Sequence, residues 1–286
     1  MRDIRHTHCL LHLSSLQYET LHMEIIGYLA SLVIGVSLGL IGGGGSILTV
    51  PVLVYLFGVD PVLATAYSLF IVGSTSLVGA FPKYKNGEIN IKTAIIFGIP
   101  AIAAVYATRA FIVPAIPAEL FTIGSLVVTK ALMMMMIFAV LMVFASVSMI
   151  RSNNDKEEEE GPQVFNYPMI LLEGAVVGLL TGLVGAGGGF LIIPALVLFS
   201  KLPMKQAIGT SLIIIAAKSL IGFTGDLGKQ TMDWTLLASV TALAIVGIFI
   251  GNALGKKVSP NSLKKGFGWF VLVMGIYIIL KELFFK

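Results

Sequence analysis

Charge is scarce in this chain. Only 12% of its 286 residues are Asp, Glu, Lys or Arg, and 57% are hydrophobic. A soluble domain keeps roughly 25% of its residues charged, so a water-covered globule is excluded. There is one cysteine, Cys9, which rules out an intramolecular disulfide and any multi-cysteine metal site. The four histidines, His6, His8, His12 and His22, all lie in the first 22 residues, leaving the rest of the chain without an imidazole ligand or base. The leader also lacks the continuous apolar stretch and small-residue cleavage site of a signal peptide. Residues 1–22 are expected to be a disordered or untranslated leader, with Met23 as the true start.

Long apolar runs are abundant instead. Mean hydropathy is +0.95. Ile91–Val113, Val127–Ile150, Trp234–Leu254 and Phe267–Leu280 are among the runs suited to crossing about 30 Å of hydrocarbon, which takes about 20 residues. The runs are continuous rather than alternating, so an α-helical membrane protein is expected and a β-barrel is not. The net charge of +4 sits between the runs rather than on one face. It therefore reports topology, not a nucleic-acid partner.

The chain is one unit written twice. Gly39–Gly79 and Gly182–Gly222 align without a gap, 143 positions apart, and 16 of 41 residues are identical. The matches include Gly42 with Gly185, Gly44 with Gly187, Gly45 with Gly188, Pro51 with Pro194 and Ser68 with Ser211. The organisation expected is repeat 1 over 23–150, an acidic linker over 151–166 and repeat 2 over 167–286. The linker carries Glu157-Glu-Glu-Glu160, a block of like charge that cannot enter hydrocarbon.

Each half reads as a helix of about 17 residues (Glu24–Leu40; Pro168–Val184), a glycine cluster, a short segment of about 11 (Ile47–Phe57; Phe190–Ser200) and three longer helices. At 1.5 Å per residue the short segment reaches only about 17 Å. The first two helices of each half therefore predict a re-entrant hairpin with its glycine tip inside the membrane. The fold class expected is all-α and polytopic, with two inverted repeats.

The distribution of basic residues supports inversion. With Lys83–Lys92 in the cytoplasm, the cytoplasmic side also collects Arg151, Lys156, Lys201, Lys205, Lys256, Lys257, Lys264 and Lys265. A parallel repeat splits these loops between the two sides, against the positive-inside rule. The linker is then cytoplasmic and the C-terminus outside.

An inverted pair brings both tips together. Each short helix starts there, offering free backbone N–H groups and about half a positive charge, a combination that binds anions and recurs in transporters built from broken helices. The candidate cradle is Gly42, Gly43, Gly44, Gly45 and Ser46 with Gly185, Gly187, Gly188 and Gly189. Close helix packing through small residues is the competing explanation. The preceding helix ends its carbonyls at the same tips, so a cation site stays open.

Ser68, Ser211 and the adjacent Thr210 lie on the helices that follow. Their hydroxyls either donate to an oxyanion or bond to their own helix. Lys218 lies mid-helix, where an ammonium is costly and usually functional. It can meet a substrate anion, titrate during transport or pair with Glu173. Arg109 and Lys130 are closer to helix ends and are expected to snorkel.

On these residues, GLIGGGGSILTVPVLVYL and GLVGAGGGFLIIPALVL, followed by ATAYSL and IGTSL, the sequence resembles the TauE/SafE sulfite exporter family from about Met23 onward. The resemblance implies a permease for sulfur oxyanions or organosulfonates such as sulfite or sulfoacetate, in a prokaryotic inner (plasma) membrane. Gly43 is replaced by Ala186 and Ser46 by Gly189 in the second half, so the tips need not contribute equally.

No enzyme activity, cofactor or metal is expected. Gly222-Phe-Thr-Gly-Asp226 lacks an intramembrane protease spacing, and Gly251-Asn-Ala-Leu-Gly255-Lys256 is not a Walker loop. Transport is therefore passive or coupled to a proton or other ion. The alternatives are a cation transporter and a non-transporting membrane assembly factor.

Overall fold

The computed structural model describes residues 23–123, 126–151, 167–198, 200–255 and 260–284. The leader and nearly all of the linker lie outside the described residues. Repeat 1 contains α1 (Met23–Ile41), α2 (Gly44–Tyr55), α3 (Pro61–Lys85), α4 (Ile91–Ala115) and α5 (Lys130–Arg151). Repeat 2 contains α6 (Tyr167–Val184), α7 (Gly189–Leu198), α8 (Met204–Thr224), α9 (Trp234–Leu254) and α10 (Pro260–Phe284). Among the described residues, six helices (α1, α3, α4, α5, α8 and α9) are long and apolar enough to cross a membrane. This is a polytopic all-α membrane protein.

Polar caps set where helices begin. Asp60 Oδ1 accepts from the N–H of Val62 and Leu63, and Asp233 Oδ1 accepts from Thr235 and Leu236. Asn90 Oδ1 accepts from Thr93. Each satisfies donors that a helix start leaves unpaired. The outer surface is apolar: Leu29, Phe81, Ile99, Phe111, Phe144 and Val273 are all exposed. Such a surface is stable against lipid and not against water.

The two repeats are interleaved through matching contacts. Gly35 of α1 packs on the Ala244 carbonyl of α9, and its counterpart Gly178 of α6 packs on the Ala101 carbonyl of α4. Both pairs of partners are 143 positions apart. Gly79 meets Ile248, and its counterpart Gly222 meets Val105. Backbones come this close only where small residues line the interface, which is how membrane helices gain packing without a hydrophobic drive.

Hydrogen bonds repeat the pattern. The Asn90 N–H that opens α4 donates to Thr210 Oγ1 at 2.9 Å, and the Asp233 N–H that opens α9 donates to the Tyr67 hydroxyl. Asn90 and Asp233 are equivalent positions, as are Tyr67 and Thr210. At the centre, α3 and α8 run antiparallel: Gly79 lies by Leu212, Gly73 by Leu220 and Gly222 by Leu69.

Three features differ from expectation. The short helices start earlier: α2 opens as a 3-10 turn over Gly44–Leu48, and α7 begins at Gly189. Gly44 and Gly45 therefore form the first turn of α2, whereas Gly185, Gly187 and Gly188 precede α7. An antiparallel hairpin, β1 (Glu119–Ile123) and β2 (Leu126–Thr129), joins α4 to α5. Finally, α4 contains a π-helical turn over Thr108–Ile112.

Candidate functional site

The glycine tips turn the chain by adopting left-handed backbone. Gly42 (φ 84°) and its counterpart Gly185 (φ 73°) each end a long helix, and Gly187 and Gly188 also have positive φ. This conformation penalises any residue with a Cβ. All residues from Gly42 to Ser46 and from Gly185 to Gly189 are buried. The tips touch: a Cβ on Gly43 would strike the backbone of Gly189, and one on Gly189 the backbone of Gly43. Close packing and convergence of the tips are thus the same contact.

Each tip rests on the third helix of the other repeat. Gly42 packs against Ile208 of α8, and Gly185 packs against Thr65 of α3, a reciprocal pair. Gly187 packs against Val72 of α3. Residues three and four apart share a helix face, so Ser68 lies between Thr65 and Val72 on the face along the second tip. Its hydroxyl is buried and has no partner among the described residues.

The remaining hydroxyls are more committed. Ser211 Oγ donates to the Ile208 carbonyl at 2.8 Å, within its own helix. Ser46 Oγ donates to the Gly43 carbonyl at 2.8 Å, tying the first tip to itself. Thr210 Oγ1 accepts the Asn90 N–H. The two tips are therefore unequal, and the second has the freer donors.

Lys218 belongs to the second tip. It is fully buried, and its Nζ donates to Thr181 Oγ1 at 2.8 Å on the last turn of α6. The same Nζ lies 2.8 Å from where a Cβ on Gly188 would be. Among the described residues no carboxylate pairs with it. Glu173 is not its partner: Glu173 Oε1 is buried without a hydrogen bond. In the first repeat the position of Lys218 holds Thr75, which bonds to the Ile71 carbonyl of its own helix.

Arg109 does not snorkel. It is completely buried, and Nε donates to Asp226 Oδ2 at 2.6 Å. Its Nη1 donates to Thr65 Oγ1 at 2.9 Å and to the Gly182 carbonyl at 3.2 Å. The expectation failed because the partner, Asp226, lies 117 positions away and is absent from the local pattern around position 109. Lys130 folds back onto the Val113 carbonyl of α4, and Lys229 caps the Arg109 and Ala110 carbonyls at 3.0 and 2.9 Å. Both satisfy carbonyls at the end of α4, where a cation also favours the helix dipole.

A separate groove of about 610 Å³ opens near the start of α1 and the end of α2, lined by residues including Met23, Tyr28, Tyr55, Phe57 and Asp233. No tip residue lines it, so the convergence of charge and glycine lies elsewhere.

The chain matches the family model described as "Sulfite exporter TauE/SafE" over residues 27–278. It belongs to the TauE/SafE sulfite exporter family. A "Probable membrane transporter protein" of Xylella fastidiosa is 30% identical over 255 residues, covering 87% of this chain and 92% of that protein. One from Methanocaldococcus jannaschii is 26% identical over 284 residues, covering 93% and 98%. YunE of Bacillus subtilis, similarly named, is 27% identical over 271 residues, covering 90% and 94%. No solved structure matches the chain significantly. This TauE/SafE chain is therefore a membrane transporter, and both glycine tips lie inside the matched region.

Proposed function

We propose that this chain is a secondary carrier or facilitator of a small oxyanion of the sulfite, sulfoacetate or organosulfonate class. Its site is the second glycine tip with Lys218 and Ser68, closed by the first tip. The observation that carries the reading is Lys218, a buried ammonium beside Gly188 with no carboxylate partner among the described residues. An unpaired buried charge costs several kcal/mol, and a transported anion would offset it while bound. Ser68 supplies a free hydroxyl, and the start of α7 supplies the positive end of a helix dipole.

The repeats are inverted in this reading, with the linker cytoplasmic and the C-terminus outside, in a plasma membrane. The antiparallel run of α3 against α8 supports the inversion, because equivalent helices then cross in opposite directions. The basic loops support the orientation. With the tips in contact, an anion passes only if they part, which matches alternating access around a central site.

Purified protein in liposomes tests the assignment by flux of labelled sulfite, sulfoacetate, sulfate and chloride. Uptake of sulfite or sulfoacetate that saturates is expected. Flux of a cation with none for any anion would refute it.

A further inference from the structure

Arg109 sits in the π-helical turn of α4. Such turns are inserted where a helix must re-aim a side chain, often at functional positions. A guanidinium carries five N–H donors. The one on Nε goes to Asp226, and Nη1 serves Thr65 and the Gly182 carbonyl. Nη2 is buried and has no acceptor among the described residues.

The ion pair is thus one-legged. A carboxylate that fully satisfies arginine takes two parallel N–H bonds, and here Asp226 accepts from Nε, with Nη2 left unpaired. Buried polar groups are nearly always paired, and an unpaired N–H of a charged group is costly. A fixed, fully buried fork with one prong open is a donor in want of an acceptor.

Its location is the second tip. Gly182 lies three residues before Gly185, and Thr65 packs against Gly185. Nη2 is bonded to the same carbon as Nη1, which meets that turn at the Gly182 carbonyl. Lys218 reaches that turn through the adjacent Thr181. Two buried cations therefore approach one turn of α6, and among the described residues only one carboxylate, Asp226, pairs with either.

The equivalent position in repeat 2 is Asn252, and its Nδ2 is also buried without an acceptor. Its backbone nitrogen lies 2.7 Å from where a Cβ on Gly39, the counterpart of Gly182, would be. Both repeats thus leave an NH2 group without an acceptor at equivalent sequence positions, 109 and 252.

We propose that Arg109 is a second anion-binding residue, whose Nη2 group donates to an oxyanion held at the second tip while Asp226 and Thr65 fix the guanidinium plane. A group with two N–H donors beside an ammonium selects an anion with several oxygens, such as a sulfite or sulfonate, over a halide. The inference rests on the anion reading above and extends it to Arg109.

The test is sulfite uptake into proteoliposomes by wild type, by Arg109→Lys, and by Arg109→Gln combined with Asp226→Asn. Lysine keeps the charge and the pair but loses the second NH2. The double variant removes both charges together, so neither is left alone inside. Each variant is first checked for wild-type elution from size exclusion in detergent. Both are expected to raise KM for sulfite at least about tenfold with kcat changed less than about threefold. Arg109→Lys with wild-type KM would overturn the proposal, and so would a loss confined to kcat. If the double variant does not fold, Arg109→Lys alone decides. Absence of anion flux in wild type is a different result, because it removes the anion reading itself.

Discussion

Gly43 and Gly189 meet backbone to backbone, so neither position has room for a Cβ. The two glycine tips close on each other there, and in the transport reading proposed above they must part for an anion to pass. The first repeat places Gly43 where the second has Ala186, and the asymmetry follows from geometry: Gly43 faces Gly189 of the opposite tip.

The contact makes a direct stability prediction. Gly43→Ala forces the tips apart and should destabilise by about 1–3 kcal/mol, as overpacking does. Gly98→Ala is the control, since nothing lies within 4 Å of a Cβ built there. It should be neutral or stabilise by about 0.5–1 kcal/mol, the usual gain of Ala over Gly in a helix. Thermal unfolding in detergent compares the two. Equal melting temperatures would show that the tips do not touch.

The paired hydrogen bonds at the helix starts predict equal losses at two distant positions. Thr210→Val orphans the Asn90 N–H, and Tyr67→Phe orphans the Asp233 N–H. Each should cost about 1–3 kcal/mol, as an unsatisfied partly buried donor does. The combination should be additive, because the pairs share no partner. Thermal unfolding of the two single variants and the double measures this, and a loss at one position only would break the equivalence.

Orientation is open to labelling. With Cys9→Ser as background, single cysteines at Asn86 and Gln230, both exposed, lie in the loops that lead into α4 and α9. An impermeant maleimide should reach Asn86→Cys from the cytoplasmic side and Gln230→Cys from the opposite side. Modification of both from one side would exclude the inverted arrangement.

Much of this was legible along the chain, for identifiable reasons. Helix positions follow from continuous apolar runs such as Ile91–Val113 and Trp234–Leu254, which are local features. The doubled glycine motif survives alignment because left-handed turns at Gly42 and Gly185 tolerate few other residues. Mid-helix Lys218 stood out because charge is so rare in such a run. The β1–β2 hairpin was hidden inside the apolar stretch from Phe121 to Ile150, although its β-branched residues flank Gly124-Ser125. That each tip leans on the other repeat's third helix was out of reach, since Gly185 against Thr65 spans 120 positions of chain. Arg109 was misread for the same reason: nothing near it in sequence announces Asp226.

The central claim is that Lys218 at the second glycine tip holds the transported anion. Lys218→Met nearly keeps the length of the side chain and removes a buried charge that has no carboxylate partner among the described residues. Sulfite uptake into proteoliposomes, measured on protein whose melting temperature is at least that of wild type, tests it most directly. Uptake should fall at least about 100-fold, equivalent to roughly 2.7 kcal/mol of lost stabilisation. Wild-type uptake by Lys218→Met would contradict the account.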